Sequence, residues 1–397
     1  MTLRAKTFAA AAGLAALTLG ALPALAQDTI KIGNIVVTTG FLKGPGEPAV
    51  HAFDIAVEEI NAAGGINGKP IEIVRFDTGS DAKQAAVGVR TLVQDENVLA
   101  ILGPFSSGET RVALTMADRF GVLMIPTAAS APDLVAESKW GWRLTEDEAK
   151  QFSRLLGAMK DAGLPMETAE IVYVSDEVVS ATAGTKLYPA LMEKAGIKVG
   201  EPIAVQYKSF DMSGQAAKIM ESKPDLVAVA GLPDSASKVI KELRRQGYEG
   251  RIIGSQIFAD PLIVELFGPE GNGTMVVAGF WKGRTERSQA FDDNLMARLN
   301  ENGIHKLGAH HSDAQAYDGV YLLKQLMETA GVTGDPAKLE EERAAILAAM
   351  DGVVFNGIVG DNVCFDSKHD AELPGYVIEI KDGAWTKFAE VPADPCE

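Results

Sequence analysis

Two adjacent hydroxyls, Ser106 and Ser107, stand where an apolar strand gives way to a helix. A helix start leaves backbone N–H groups without partners and carries the positive end of the helix dipole, so such a place attracts a carboxylate. Ser106 also fits a helix cap, and one helix end can serve both roles. A second polar tip, Thr127–Ser130, follows the next apolar strand. The chemistry read from these residues is non-covalent capture of an anion. The motifs of bond-making chemistry are missing. Gly40, Gly44 and Gly46 do not have the spacing of a dinucleotide loop. Gly64–Lys69 lacks the spacing of a phosphate loop and precedes a strand. There is no G-x-S-x-G elbow, no HExxH and no CxxC. The reading is therefore no enzyme, no metal and no cofactor.

Stepping outward from these residues, the elements that must hold them alternate regularly. Strands are expected over Thr29–Val37, Lys69–Asp77, Val98–Gly103 and Val122–Pro126. Helices are expected over Glu47–Ala63, Ala82–Asp95 and Ser106–Phe120. That order calls for a parallel sheet with right-handed crossovers. It restarts after Trp142, with helices over Glu146–Ala162, Thr182–Ala195, Ser213–Glu221 and Ser235–Gln246. The strands between and after them are Ala169–Val174, Pro202–Tyr207, Asp225–Ala230 and Arg251–Gly254. A strand at Met275–Phe280, helices over Arg287–Asn300, Asp313–Thr329 and Lys338–Met350, and a hairpin at Tyr376–Phe388 complete the chain. The last third has too few strands for a domain of its own. It is expected to return to the first unit and cross again, with crossings near Trp142–Thr145, Gly279–Lys282 and Val354–Gly360. The fold class is α/β, two doubly wound parallel-sheet lobes joined by three crossovers. Lobe 1 is expected over 27–143 plus 281–354, and lobe 2 over 144–280 plus 355–397.

The first 26 residues read as an export signal: Arg4 and Lys6, an apolar stretch, then Ala24-Leu25-Ala26 as the cleavage pattern. Cleavage is expected after Ala26, and no Cys stands near it to carry a lipid anchor. The mature chain is then periplasmic, with no later membrane span. The full chain of 397 residues has a formal charge of −17, which disfavours nucleic acid and anionic membranes as partners. Its two cysteines, Cys364 and Cys396, both fall in the last tenth of the chain. In an oxidising compartment they read either as a bridge that pins the tail or as one buried and one terminal thiol.

Specific stretches resemble one family. Glu59-Ile60-Asn61-Ala62-Ala63-Gly64-Gly65-Ile66-Asn67-Gly68-Lys69 is close to the helix-end signature of periplasmic solute-binding proteins of the branched-chain amino acid family, the receptors of ABC importers. Asp81-Ala82-Lys83-Gln84-Ala85, Gly103-Pro104-Phe105-Ser106-Ser107, Ile125-Pro126-Thr127-Ala128-Ala129-Ser130-Ala131, Ala316-Tyr317-Asp318 and Phe365-Asp366 follow in the family's order. The resemblance implies a type I bilobal fold that closes on a small carboxylate-bearing solute, an amino acid or an aromatic or other organic acid. It implies a membrane permease as partner and a monomer in solution. A sensing receptor serving a kinase is the alternative of the same fold.

It also implies a site at the strand tips. Ser106 and Ser107 would meet the carboxylate, Ala128 would give a backbone carbonyl, and Ser130 a hydroxyl and amide. In lobe 2 the chain departs from the family. Ser180 and Leu232 stand where aromatic hydroxyl residues are usual, Pro45 does so in the first loop, and Gln256 replaces the acid that pairs with a ligand ammonium. Asp234 or Glu177 remain as substitutes for that charge. Otherwise the ligand is an acid without an amine, since a buried ammonium needs a countercharge. Phe41, Phe105, Phe258, Phe280 and Trp281 near the strand tips would suit a hydrophobic or aromatic acid. Lys43 reads as a solvated loop lysine.

Overall fold

A computed structural model describes residues 29–396. The export signal and its cleavage site lie outside the described residues. Four parallel strands make the first sheet: β1 (Ile30–Val36), β2 (Ile71–Asp77), β3 (Ala100–Leu102) and β4 (Leu123–Ile125), in the order β2-β1-β3-β4. Every residue of β3 and β4 is buried, as expected of strands covered on both faces. On one face lie α1 (Lys43–Ala62) and, from the last third of the chain, α10 (Glu286–Glu301), α11 (His311–Thr329) and α12 (Leu339–Ala348). On the other lie α2 (Ala82–Arg90), extended by a wider turn at Thr91–Asp95, and α3 (Ser107–Phe120).

Glycine decides two local shapes in this lobe. Gly65, at φ +76°, follows the end of α1, and a Cβ there would lie 1.9 Å from the Lys69 carbonyl oxygen. Gly103, at φ +96°, turns the chain out of β3 beside β1, and a Cβ would lie 2.1 Å from the Ile35 carbonyl oxygen. Both positions need a residue without a side chain.

The second sheet runs β12-β11-β10-β9-β8-β5-β6, with β7 also pairing with β5. Its parallel part is β5 (Thr168–Val174), β6 (Lys198–Val199), β7 (Ile203–Val205), β8 (Leu226–Ala230), β9 (Arg251–Gly254) and β10 (Thr274–Ala278). The hairpin β11 (Gly375–Lys381) and β12 (Ala384–Val391) adds an antiparallel edge. One face carries α4 (Glu148–Asp161), α5 (Val178–Thr182) and α6 (Tyr188–Lys194). The other carries α7 (Ser213–Ser222), α8 (Pro233–Arg245) and α9 (Ile263–Phe267).

Two expectations need correction. The helix expected from Thr182 begins four residues earlier, because the Glu177 carboxylate accepts from the N–H groups of Val179 and Ser180 and caps it there. The third crossing is not at Val354–Gly360. Phe355, Ile358, Val359, Val363, Ala371 and Leu373 are buried in the core under the first sheet, and the chain passes to the second sheet only at Pro374–Gly375. Asp318 on α11 anchors that segment by accepting from Ile358 N–H (3.0 Å) and Val359 N–H (2.8 Å). The segment has neither helical nor strand periodicity, so its allegiance is a matter of tertiary contact alone.

Candidate functional site

The tips of both sheets come together beside the first crossing. The Glu148 N–H that opens α4 donates to the Ser130 carbonyl oxygen, 2.9 Å across the two lobes. Ser130 therefore lies beside the first crossing, with its carbonyl engaged by α4 and no hydrogen bond from its hydroxyl.

Ser106 is the N-cap of α3, with extended backbone angles (φ −95°, ψ 156°) and a reciprocal box with Glu109. Its Oγ accepts from Glu109 N–H (3.3 Å) and donates to Glu109 Oε2 (2.6 Å). Glu109 is itself buried and takes a further bond from Thr78 Oγ1. The Ser106 hydroxyl is thus largely occupied by the fold. Ser107 differs: its Oγ accepts from Ala131 N–H at 3.1 Å, which joins the helix start to the loop at 127–131 and leaves the hydroxyl proton to be given. Ala128 is half-buried in that loop.

Arg143, fully buried, holds the same loop from below. It donates to the carbonyls of Ala129 (3.0 Å) and Ala131 (2.8 Å), to Asp147 (3.2 Å) and to both oxygens of Asp370. Burial raises the pKa of the Asp370 carboxyl, with the Arg143 guanidinium working against it. Arg143 escaped the sequence reading. Its one signal was an Asp four residues on, Asp147, at the N-cap of α4.

The lobe 2 candidates divide. Gln256 is 5% exposed; its Oε1 accepts from Gln151 Nε2 (2.7 Å) and its carbonyl faces His310 Nε2 (3.1 Å). Glu148, Gln151, Ser255 and Gln256 share a small hollow between α4 and the tip of β9. Tyr188 donates to Glu148 Oε1 at 3.0 Å, and burial pushes the Glu148 pKa up to about 7. Ser180 is buried with its hydroxyl donating to Glu177 (2.6 Å), so both belong to the cap of α5. Leu232 caps α8, its carbonyl accepting from Ala236 N–H and Ser235 Oγ. Asp234 is exposed in the first turn of α8 and accepts from Tyr207 OH at 3.3 Å.

The aromatics also separate. Phe41 is 73% exposed on the rim, and Phe105 is buried beside Asn34, Val37, Ala49, Thr127 and Ala316, where the Asn34 Oδ1 has no partner. Phe258 packs edge-on against Phe267, and Phe280 against Phe291, so both serve cores. Trp281 packs partly buried against the second-sheet core, and Lys43 pairs with Glu47 at 3.3 Å. Cys364 and Cys396 form a disulfide, with Cα atoms 5.8 Å apart. Among the described residues no group of three or more acidic, His or Cys side chains is placed to hold a metal ion, and no helix is long and apolar enough to cross a membrane.

Residues 29–384 match a family model described as periplasmic binding protein. The chain belongs to the periplasmic binding protein family. A Leu/Ile/Val-binding protein homolog from Brucella melitensis is 26% identical over 369 residues, 91% of each chain. The Streptococcus pneumoniae branched-chain amino acid transporter substrate-binding protein, solved with isoleucine, superposes with a TM-score of 0.78 at 23% identity, over 92% of this chain and 100% of its own. A solute-binding protein of an ABC transporter from Rhodopseudomonas palustris, solved with 3,4-dihydroxybenzoic acid, does so with a TM-score of 0.78 at 18% identity, over 92% and 98%. Periplasmic binding proteins with this fold thus take guests of more than one chemistry.

Proposed function

We propose that this chain is the capture component of an ABC importer. It takes a small carboxylate-bearing solute into the interlobe cleft and delivers it to a membrane permease. The carrying observation is the start of α3: Ser107 keeps a donor at the positive end of the helix, and the loop at 127–131 is fixed beside it by Arg143. The solutes named for the two structural relatives, isoleucine and 3,4-dihydroxybenzoic acid, share the carboxylate and differ in the rest. Ser106, Ser107, Ala128 and Ser130 make the lobe 1 half of this site. Gln256 belongs to the lobe 2 half beside Glu148 and Gln151, with Phe41 and Phe105 offering apolar surface. Leu232 and Asp234 stand on the lobe 2 rim.

The chain acts by closing its lobes on the solute, since a ligand touching both favours the closed form by its differential affinity. Lobe 1 is assigned to residues 29–143 and 281–374, lobe 2 to 144–280 and 375–396. The protein works as a periplasmic monomer after cleavage behind Ala26, and it releases its guest chemically unchanged. A thermal-shift panel of branched-chain amino acids, aromatic acids and short dicarboxylates tests the reading, because a specific binder raises the melting temperature by mass action. Stabilisation by carboxylates and not by their amides is the expected result. A panel in which no carboxylate stabilises the protein overturns it. Stabilisation by leucine or valine, with none by acids lacking the amine, would exclude the amine-free ligand that Gln256 suggests.

A further inference from the structure

We propose that the Cys364–Cys396 disulfide is a strap across the hinge that limits how far the lobes open. This inference rests on the capture reading above and adds a mechanical stop to it. The two sulfurs come from opposite sides of the hinge. Cys364 lies in the irregular segment whose Val363, Ala371 and Leu373 are buried in the first-lobe core. Cys396 follows β12, the outermost strand of the second sheet. The bond has a sequence separation of 32, and the enclosed loop contains the third crossing and the whole β11–β12 hairpin.

The leash is short. Val391 pairs with Gly375, directly after the crossing, and only residues 392–396 lead from there to the bond. Five residues span at most about 17 Å when fully extended. Charge holds the leash down along its length. Asp394 accepts from Lys150 (3.1 Å) and Arg154 (3.4 Å) on α4, in the second lobe. The same two side chains reach back to the crossing, Lys150 to Glu372 and Arg154 to the Leu373 carbonyl. Arg143 on the first crossing is tied to Asp370 in the strapped segment. Two of the three crossings and the C-terminal tail therefore form one bundle. An opening rotation must carry the end of β12 away from Cys364, and the intact bond arrests it once the leash is taut. Because the strap lies at the hinge, a small restriction there becomes a large one at the strand tips.

The test is small-angle scattering of the ligand-free mature protein in three forms: oxidised, treated with a phosphine reductant, and carrying Cys364→Ser with Cys396→Ser. Circular dichroism at the same temperature confirms that each form is folded. That check is needed because losing a loop closure of this size weakens the folded state. The expected result is a larger radius of gyration for the reduced and double-serine forms than for the oxidised one, with Asp394→Asn alone giving a smaller shift in the same direction. Equal dimensions in all folded forms overturn the strap. Failure of the capture reading looks different: no carboxylate in the panel stabilises or compacts any form.

Discussion

Arg143 and Asp370, 227 positions apart, meet in a two-pronged pair, with Nη2 2.8 Å from Oδ2 and Nε on the other oxygen. The pair joins the first crossing to the segment that precedes the third, and its guanidinium also fixes the loop that offers Ala128 and Ser130.

Replacing Arg143 with Ala should therefore cost about 3–5 kcal/mol, since it leaves the Asp370 carboxylate buried without its partner. Urea denaturation measures it. A loss below about 1 kcal/mol would show that the pair is dispensable.

Ser106→Ala and Ser130→Ala should behave differently. Ser106 caps α3 and serves the buried Glu109, so its loss should cost about 1–2 kcal/mol of stability as well as ligand affinity. At Ser130 it is the backbone carbonyl that the fold engages, so the alanine variant should melt within about 0.5 kcal/mol of wild type. Its affinity for a stabilising carboxylate should fall about tenfold, the worth of one hydrogen bond. Calorimetric titration beside thermal melts separates the two, and unchanged affinity in Ser130→Ala removes that hydroxyl from the site.

Glu148 gives stability a defined pH slope. Burial raises its folded pKa from 4.5 to about 7. Below about pH 4.5 the carboxyl is protonated in folded and unfolded chains alike. As pH rises the unfolded chain ionises first, while the folded chain keeps its proton until about pH 7. Stability therefore declines across that window, by about 3 kcal/mol from this group. Glu148→Gln keeps an acceptor for Tyr188 and removes this group's share of the slope. Denaturation curves from pH 4.5 to 7.5 should show the variant gaining on wild type as pH rises. Parallel pH profiles would show that the buried carboxyl does not titrate as argued.

Lys306 is buried between Asp313 on α11 and Asp260 after β9, the latter at 3.3 Å. Burial works against its charge, but the two carboxylates outweigh burial and raise its pKa. Lys306→Met should destabilise by about 3 kcal/mol or more by leaving Asp313 unpaired. Asp313→Asn added to it should recover part of that loss, because the stranded charge is gone. No recovery in the double variant would mean that packing, and not charge, sets the cost.

The sequence alone carried the strand–helix alternation, the two-lobed class and the polar tips at Ser106–Ser107 and Thr127–Ser130. Those features repeat at helix and strand periods or stand at element ends, and local rules read them. It did not show that Ser180 is spent on a helix cap, that Gln256 is bonded to Gln151, or that Phe258 and Phe280 face cores. Nor did it mark Arg143, Glu148 or Lys306, which look like ordinary surface charges until the fold buries them. The sequence reading placed residues 355–373 with the second lobe, because that stretch has no periodicity to guide it; the hold of Asp318 from a distant helix and burial in the first-sheet core tie it to the first. Periodicity is a property of neighbours along the chain. Burial, pairing and the line between the lobes depend on which distant segments meet, and only the folded molecule fixes that.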